Sequence, residues 1–178
     1  SDWIPILGRS AAGVPHFWAD GADSAGVTTL DTLIERHAGA AVRRQATAHL
    51  AETDRAIETR TVQLITLTEP AGDVAEFVAA PEVKARHADA FAVRIDGDSM
   101  SPEICHGDVV VLSPSAGAVE GRAAVVQLDR QIGVTCKLYR READRVHLVP
   151  VNERYTPTTV AADSVVWALR VLARIRSV

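Results

Sequence analysis

From Phe91 to Arg176 the chain is a succession of short apolar runs, each closed by a turn signal. Phe91, Val93 and Ile95 alternate with Ala92, Arg94 and Asp96, which is the period of a half-buried strand. Val109–Leu112 is continuously apolar, as expected of a strand buried on both faces. Arg122–Leu128, Ile132–Tyr139, Arg145–Val149 and Val165–Arg176 extend the series. Ser113-Pro114, Glu120-Gly121, Asp129-Arg130, Ala143-Asp144 and Thr156-Pro157 separate the runs. Further upstream, Val62, Leu64 and Leu67 begin the same period, and Pro81–Ala85 reads as a short helix or turn. Runs of this length and spacing bury their apolar faces in a mainly β fold.

The N-terminal part reads differently. Pro5, Gly8, Gly13 and Pro15 disfavour helix over residues 1–18, where Ser10-Ala11-Ala12-Gly13 forms a small-residue stretch between apolar flanks. Residues 19–27 have loop composition. Thr28 or Thr29 suits a helix cap, with Asp31 in the first turn, and Leu30, Leu33, Ile34, Ala38, Ala41 and Val42 follow helical spacing. The chain then stays rich in Ala, Arg and Glu to about Thr59. Residues 1–18 are therefore expected as a distinct leading segment and residues 19–68 as a largely α-helical insertion. Residues 69–178 are expected as the β domain, giving α+β overall.

Composition narrows the function classes. A chain of 178 residues is long enough for a core without disulfides. The formal net charge is -4 and there is no basic tract, so DNA binding by this segment is not expected. No apolar run approaches the roughly 20 residues that span a bilayer, and no secretory signal is visible. A cytoplasmic location without membrane contact is the expectation. Cys105 and Cys136 have apolar neighbourhoods and read as small buried hydrophobes, with a disulfide or metal pair as the alternative. His16, His37, His49, His87, His106 and His147 lack metal-ligand spacing, and neither a metal nor a cofactor is expected. The first residue is Ser1 rather than Met, which suggests a processed chain or part of a longer one.

Two residues stand out for chemistry. Ser99 follows a strand in Asp96-Gly97-Asp98-Ser99-Met100-Ser101-Pro102. Gly97 permits a sharp turn and Pro102 ends the strand, an arrangement that presents a hydroxyl with backbone N–H groups nearby. A serine in such a turn is more often structural. Lys137 lies within the Ile132–Tyr139 run, where alternation puts Thr135, Lys137 and Tyr139 on one face. A solvent-facing lysine would fit that pattern too. The chain, however, has 19 basic residues and only two are lysines, Lys84 and Lys137. A sequence so biased to arginine needs lysine where the group must lose its proton, which arginine does not do. Such an amine must be covered, because burial disfavours the ammonium. It can then take a serine proton and activate the oxygen.

The stretch from Phe91 through Ser99-Met100 to Gly107-Asp108-Val-Val-Val111 closely resembles the serine motif of LexA-like peptidases, the family of LexA, lambda-type phage repressors and UmuD proteins. Val134-Thr-Cys-Lys137-Leu-Tyr-Arg140 is similar to the family's lysine motif. Val146 to Asn152, with Tyr155 and Pro157, resembles the segment that follows. Ile6-Leu-Gly8-Arg9-Ser-Ala-Ala12-Gly13-Val-Pro15 resembles the self-cleavage region.

The resemblance implies Ser99 as nucleophile, Lys137 as general base and Ala12–Gly13 as the scissile bond. Gly107 and Asp108 are implied as structural turn residues. It also implies a β-clip-like fold and a homodimer formed through late strands such as Val165–Arg176. By the same resemblance the chain is the self-cleaving C-terminal domain of a transcriptional repressor. Its cleavage is stimulated by a RecA–single-stranded DNA filament, or by another trigger acting through the insertion. Operator DNA would be bound by an upstream helix-turn-helix domain absent from this chain. A peptidase acting in trans and a sensor or dimerisation module with vestigial cleavage are the rival readings. The long stretch between residues 14 and 98 departs from the family, whose connection is usually much shorter.

Overall fold

A computed structural model describes residues 2–9, 42–54, 59–71 and 74–178. Two sheets carry the described fold. The strands β1 (Trp3–Arg9), β2 (Val42–Glu52), β3 (Thr59–Ala71), β4 (Val74–Ala79), β5 (Phe91–Arg94), β6 (Val109–Leu112) and β12 (Ala173–Ser177) form one of them. It closes as a barrel in the order β1-β4-β3-β2-β12-β6-β5. The second comprises β7 (Ala123–Leu128), β8 (Thr135–Glu142), β9 (Arg145–Val149), β10 (Thr158–Ala161) and β11 (Val165–Arg170), in the order β10-β9-β8-β7-β11. Among the described residues the one α-helix, α1 (Pro81–Arg86), lies where the sequence predicts a helix or turn, with Pro81 in its first turn and Arg86 in its last.

The expected helical insertion is not supported. Of the residues read as helix, 42–52 form β2, and β3 begins at Thr59; residues 10–41 lie outside those described. The reason is visible in the side chains. Ala46, Ala48 and Leu50 turn inward while Gln45, Thr47 and His49 are exposed, a strict period of two. Alanine favours helix in isolation. Here Ala48, with Ala92 and Ala173, fills an interior too narrow for larger side chains at every level. All seven strands contribute to that interior, which includes Ile4, Leu50, Val78, Val111 and Ile175. Packing therefore overrides propensity.

A second core lies between the barrel's outer face and the second sheet. Phe91, Val93, Val110 and Leu112 meet Val125, Cys136 and Leu169 there. Alternate residues of β5 and β6 thus point into two different cores. Val109–Leu112 is buried throughout, as expected. β5 is more buried than the half-buried strand predicted, because Ala92 faces the barrel interior. Two further runs differ in extent. Val165–Arg176 is split, since the chain crosses from the second sheet to the barrel at Val171-Leu172. The Ile132 run becomes strand only at Thr135: Ile132 is 95% exposed and Gly133 has φ 95°.

The end of β2 ties the two sheets together at that crossing. Thr53 donates its N–H to Leu172 O at 3.0 Å and its hydroxyl to Val171 O at 2.7 Å. Asp54 pairs with Arg170 of β11 and lies 3.8 Å from Arg122.

Candidate active site

The serine turn is built by its own backbone. Gly97 has φ 85°, and its N–H donates to His106 Nδ1 at 2.9 Å. Ser101 N–H donates to Asp98 O at 3.1 Å and Ile104 N–H to Met100 O at 3.0 Å, so the chain coils tightly after Ser99. Met100 and Ile104 anchor this coil in the core between the sheets. A Cβ at Gly97 would meet no atom within 4 Å. Gly97→Ala is therefore expected to lose only the backbone cost of the left-handed conformation, about 1–2 kcal/mol. Chemical denaturation checks this, and a much larger loss would mean that the turn is sterically closed as well.

Asp108 secures the far side of the turn. It is 2% exposed, and its carboxylate accepts the Cys105 N–H at 2.7 Å and the Arg176 guanidinium at 2.8 and 2.9 Å. The segment after β9 secures the near side. Asn152 N–H donates to Ser99 O at 2.9 Å, and Asn152 Nδ2 donates to Asp98 O at 3.0 Å. The Tyr155 hydroxyl donates to the Asp98 carboxylate, which raises the Tyr155 pKa.

Lys137 reaches this turn from β8 of the other sheet. Its Nζ stands 3.0 Å from Ser99 Oγ, 3.0 Å from Thr135 Oγ1 and 3.1 Å from Cys136 O. Burial lowers the Lys137 pKa from its ordinary value. The neighbouring Cys136 thiol is pushed up to about 12 by its own burial. It therefore stays neutral near physiological pH, and burial remains the larger influence on the amine. As an ammonium the group donates to all three oxygens; as a neutral amine it has two N–H groups and a lone pair. Its two N–H groups can donate to Thr135 Oγ1 and Cys136 O, leaving the lone pair for the Ser99 proton.

The structure thus brings Ser99 and Lys137, 38 positions apart in sequence, into contact. The expected bond at Ala12–Gly13 lies outside the described residues, as do His16 and His37. Both described cysteines are free; Cys136 is buried and Cys105 is partly exposed. Three site residues had no role assigned from sequence: Thr135, Asn152 and Tyr155. Thr135 was on the predicted face with Lys137, and a hydroxyl two positions from a buried amine was the available signal.

Residues 61–172 match the Peptidase S24-like family. The chain belongs to that family. Among curated proteins, its sequence is 39% identical to the LexA repressor of Desulfatibacillum aliphaticivorans over 71 residues, covering 39% of this chain and 34% of that protein. It is 36% identical to LexA repressor 1 of Xanthomonas campestris pv. campestris over 75 residues, covering 42% and 36%. A third relative, the LexA repressor of Geotalea uraniireducens, is 32% identical over 93 residues, covering 52% and 45%. The chain spans less than half the length of these relatives. Membership of the family makes this a LexA-like protein of the serine peptidase and autoprotease kind. The family match begins on β3, so it takes in part of the β2–β3 hairpin. Among the described residues, no helix is long and apolar enough to cross a membrane.

Proposed function

We propose that this chain is the self-processing domain of a LexA-like repressor, which cuts its own Ala12–Gly13 bond with Ser99 as nucleophile and Lys137 as base. The contact of 3.0 Å between Lys137 Nζ and Ser99 Oγ, made by an amine whose burial favours its neutral form, carries this reading. The neutral amine takes the Ser99 proton as Oγ attacks the Ala12 carbonyl. The ammonium then returns that proton to the Gly13 nitrogen as the C–N bond breaks. The same amine takes a proton from water as the water oxygen bonds to the acyl carbon, and returns it to Ser99 Oγ as the ester bond breaks and frees the Ala12 carboxyl group. Thr135 Oγ1 and Cys136 O orient the amine throughout.

Strand order supports action within one chain. β1 runs parallel to β5 with Arg9 opposite Arg94, so both strands leave the barrel at the same end. Ala12 follows Arg9 by three residues, and Ser99 follows Arg94 by five. In this reading, cutting severs the covalent link between an upstream operator-binding domain and the body of the chain, and ends repression during stress in the cytoplasm. The trigger is a RecA–DNA filament or a substitute acting through residues 19–68. A homodimer would use the late strands: β11 is an edge strand and its Val166 is 61% exposed.

Incubation of the purified chain at about pH 9–10, followed by intact-mass analysis, tests the proposal. The expected result is a new N-terminus at Gly13, formed at a first-order rate that does not depend on protein concentration. The rate is expected to rise with pH and level off below the ordinary lysine range, because the neutral amine is the working form. A rate that grows with concentration would favour a peptidase acting in trans. An intact chain after long incubation would favour a sensor with vestigial cleavage.

A further inference from the structure

The proposed cut falls just beyond a strand that is fully built into the barrel. β1 pairs antiparallel with β4, through Trp3 opposite Ala79, Ile4 opposite Val78 and Pro5 opposite Phe77. On its other side it pairs parallel with β5, through Ile6 opposite Ala92 and Arg9 opposite Arg94. It is therefore an internal strand with neighbours along both sides. Ile4 is wholly buried and Ile6 nearly so, and both face the barrel interior. Leu7 joins the core between the two sheets. Trp3 packs on Phe77 with ring centroids 5.6 Å apart. Ala80 N–H donates to Asp2 O at 3.3 Å, extending the contact to the start of the strand.

We infer that the seam between β4 and β5 is a strand-binding site for the chain's own β1, which stays seated in it after the Ala12–Gly13 bond is cut. The inference rests on the proposed cleavage position. Hydrolysis there removes no pairing and no buried side chain of β1, because every one of those contacts lies at or before Arg9. Among the described residues no contact is lost with the covalent link to residue 13. For the fragment to leave, the barrel must open between β4 and β5. That exposes two unpaired strand edges together with the interior around Ile4 and Ile6. The cut thus converts a tethered strand into a bound peptide ligand of alternating apolar character. Anything joined upstream of β1 remains attached until that strand is extracted.

The test does not need self-cleavage. In a Ser99→Ala chain, residues 10–13 are replaced by the recognition sequence of a site-specific endoprotease, and a fluorophore is placed at the N-terminus. The nicked protein is then run on size exclusion at micromolar and at nanomolar concentration. The expected result is label that travels with the body of the protein and separates from it only in denaturant. Ile6→Ala, which keeps the pairing but removes buried methyl groups, is expected to speed release roughly tenfold or more. Prompt appearance of the label as free peptide would overturn the inference, whether or not the remaining body stays folded. An equal release rate in the Ile6→Ala chain would overturn it too. Failure of the unmodified chain to cut itself would leave this result untouched, so the two proposals fail separately.

Discussion

Lys137→Arg is expected to abolish self-cleavage while leaving the chain folded. Arginine keeps the positive charge and much of the length, so a purely structural or electrostatic lysine would tolerate the change. A general base would not, because a guanidinium does not give up its proton in a protein. Loss of a positioned base costs about 10²–10⁴-fold in rate, and more when nucleophile and base work as a unit. Ser99→Ala is expected to be as inactive, and the double variant no worse than either. Intact mass against time at several pH values measures all three.

Burial of Lys137 also gives a readout that is independent of chemistry. The folded chain binds this proton less tightly than the unfolded chain does. Stability is therefore expected to rise with pH between the lowered folded value and the ordinary lysine range, where the unfolded chain holds the extra proton. Lys137→Met should lack that rise. An unchanged pH dependence of unfolding in Lys137→Met would mean that the amine is solvated, and the base assignment would lose its physical ground.

The second large effect is expected at Asp108. Its carboxylate holds the Cys105 N–H and both faces of an Arg176 fork while 2% exposed. Removing one partner of a buried, hydrogen-bonded pair costs about 3–5 kcal/mol. The Arg176 side chain is 40% exposed, so water can rehydrate the guanidinium, which puts Asp108→Ala near the lower end of that range. Asp108→Asn keeps the shape and is expected to lose about half as much. The effect should extend to catalysis, because Asp108 fixes the coil that carries Ser99. A loss below about 1 kcal/mol in urea denaturation would show that the pair contributes little.

The contrast between Lys137 and β2 shows what was legible in the sequence. The covered position of Lys137 beside Ser99 was readable because two independent signals agreed: its rarity in an arginine-rich chain and its place on one face of an alternating run. Val109–Leu112 was readable because a run apolar at every position fits a strand with two buried faces. β2 was misread because alanine and arginine suit a helix, and only the narrow barrel makes Ala48 a strand residue. The clamp of Asn152 and Tyr155 on the serine turn is a contact across more than 50 positions, and local pattern does not encode it. Thr135 falls between these cases, since its face was predicted and its partnership with the amine was not.

Thr53 and Asp54 give the division into two sheets a further meaning. Ser99 hangs from the barrel and Lys137 from the second sheet, so neither sheet alone contains both residues of the proposed pair. The chain crosses between them at Val171-Leu172, where Thr53 and Asp54 fasten the end of β2. A slip of about an ångström at this joint would part the amine from the hydroxyl while both sheets stayed intact, and misplacement on that scale costs about a hundredfold in rate. Under the proposed function, the cutting rate is in effect a ruler, laid across the gap between the two sheets and read at Ser99.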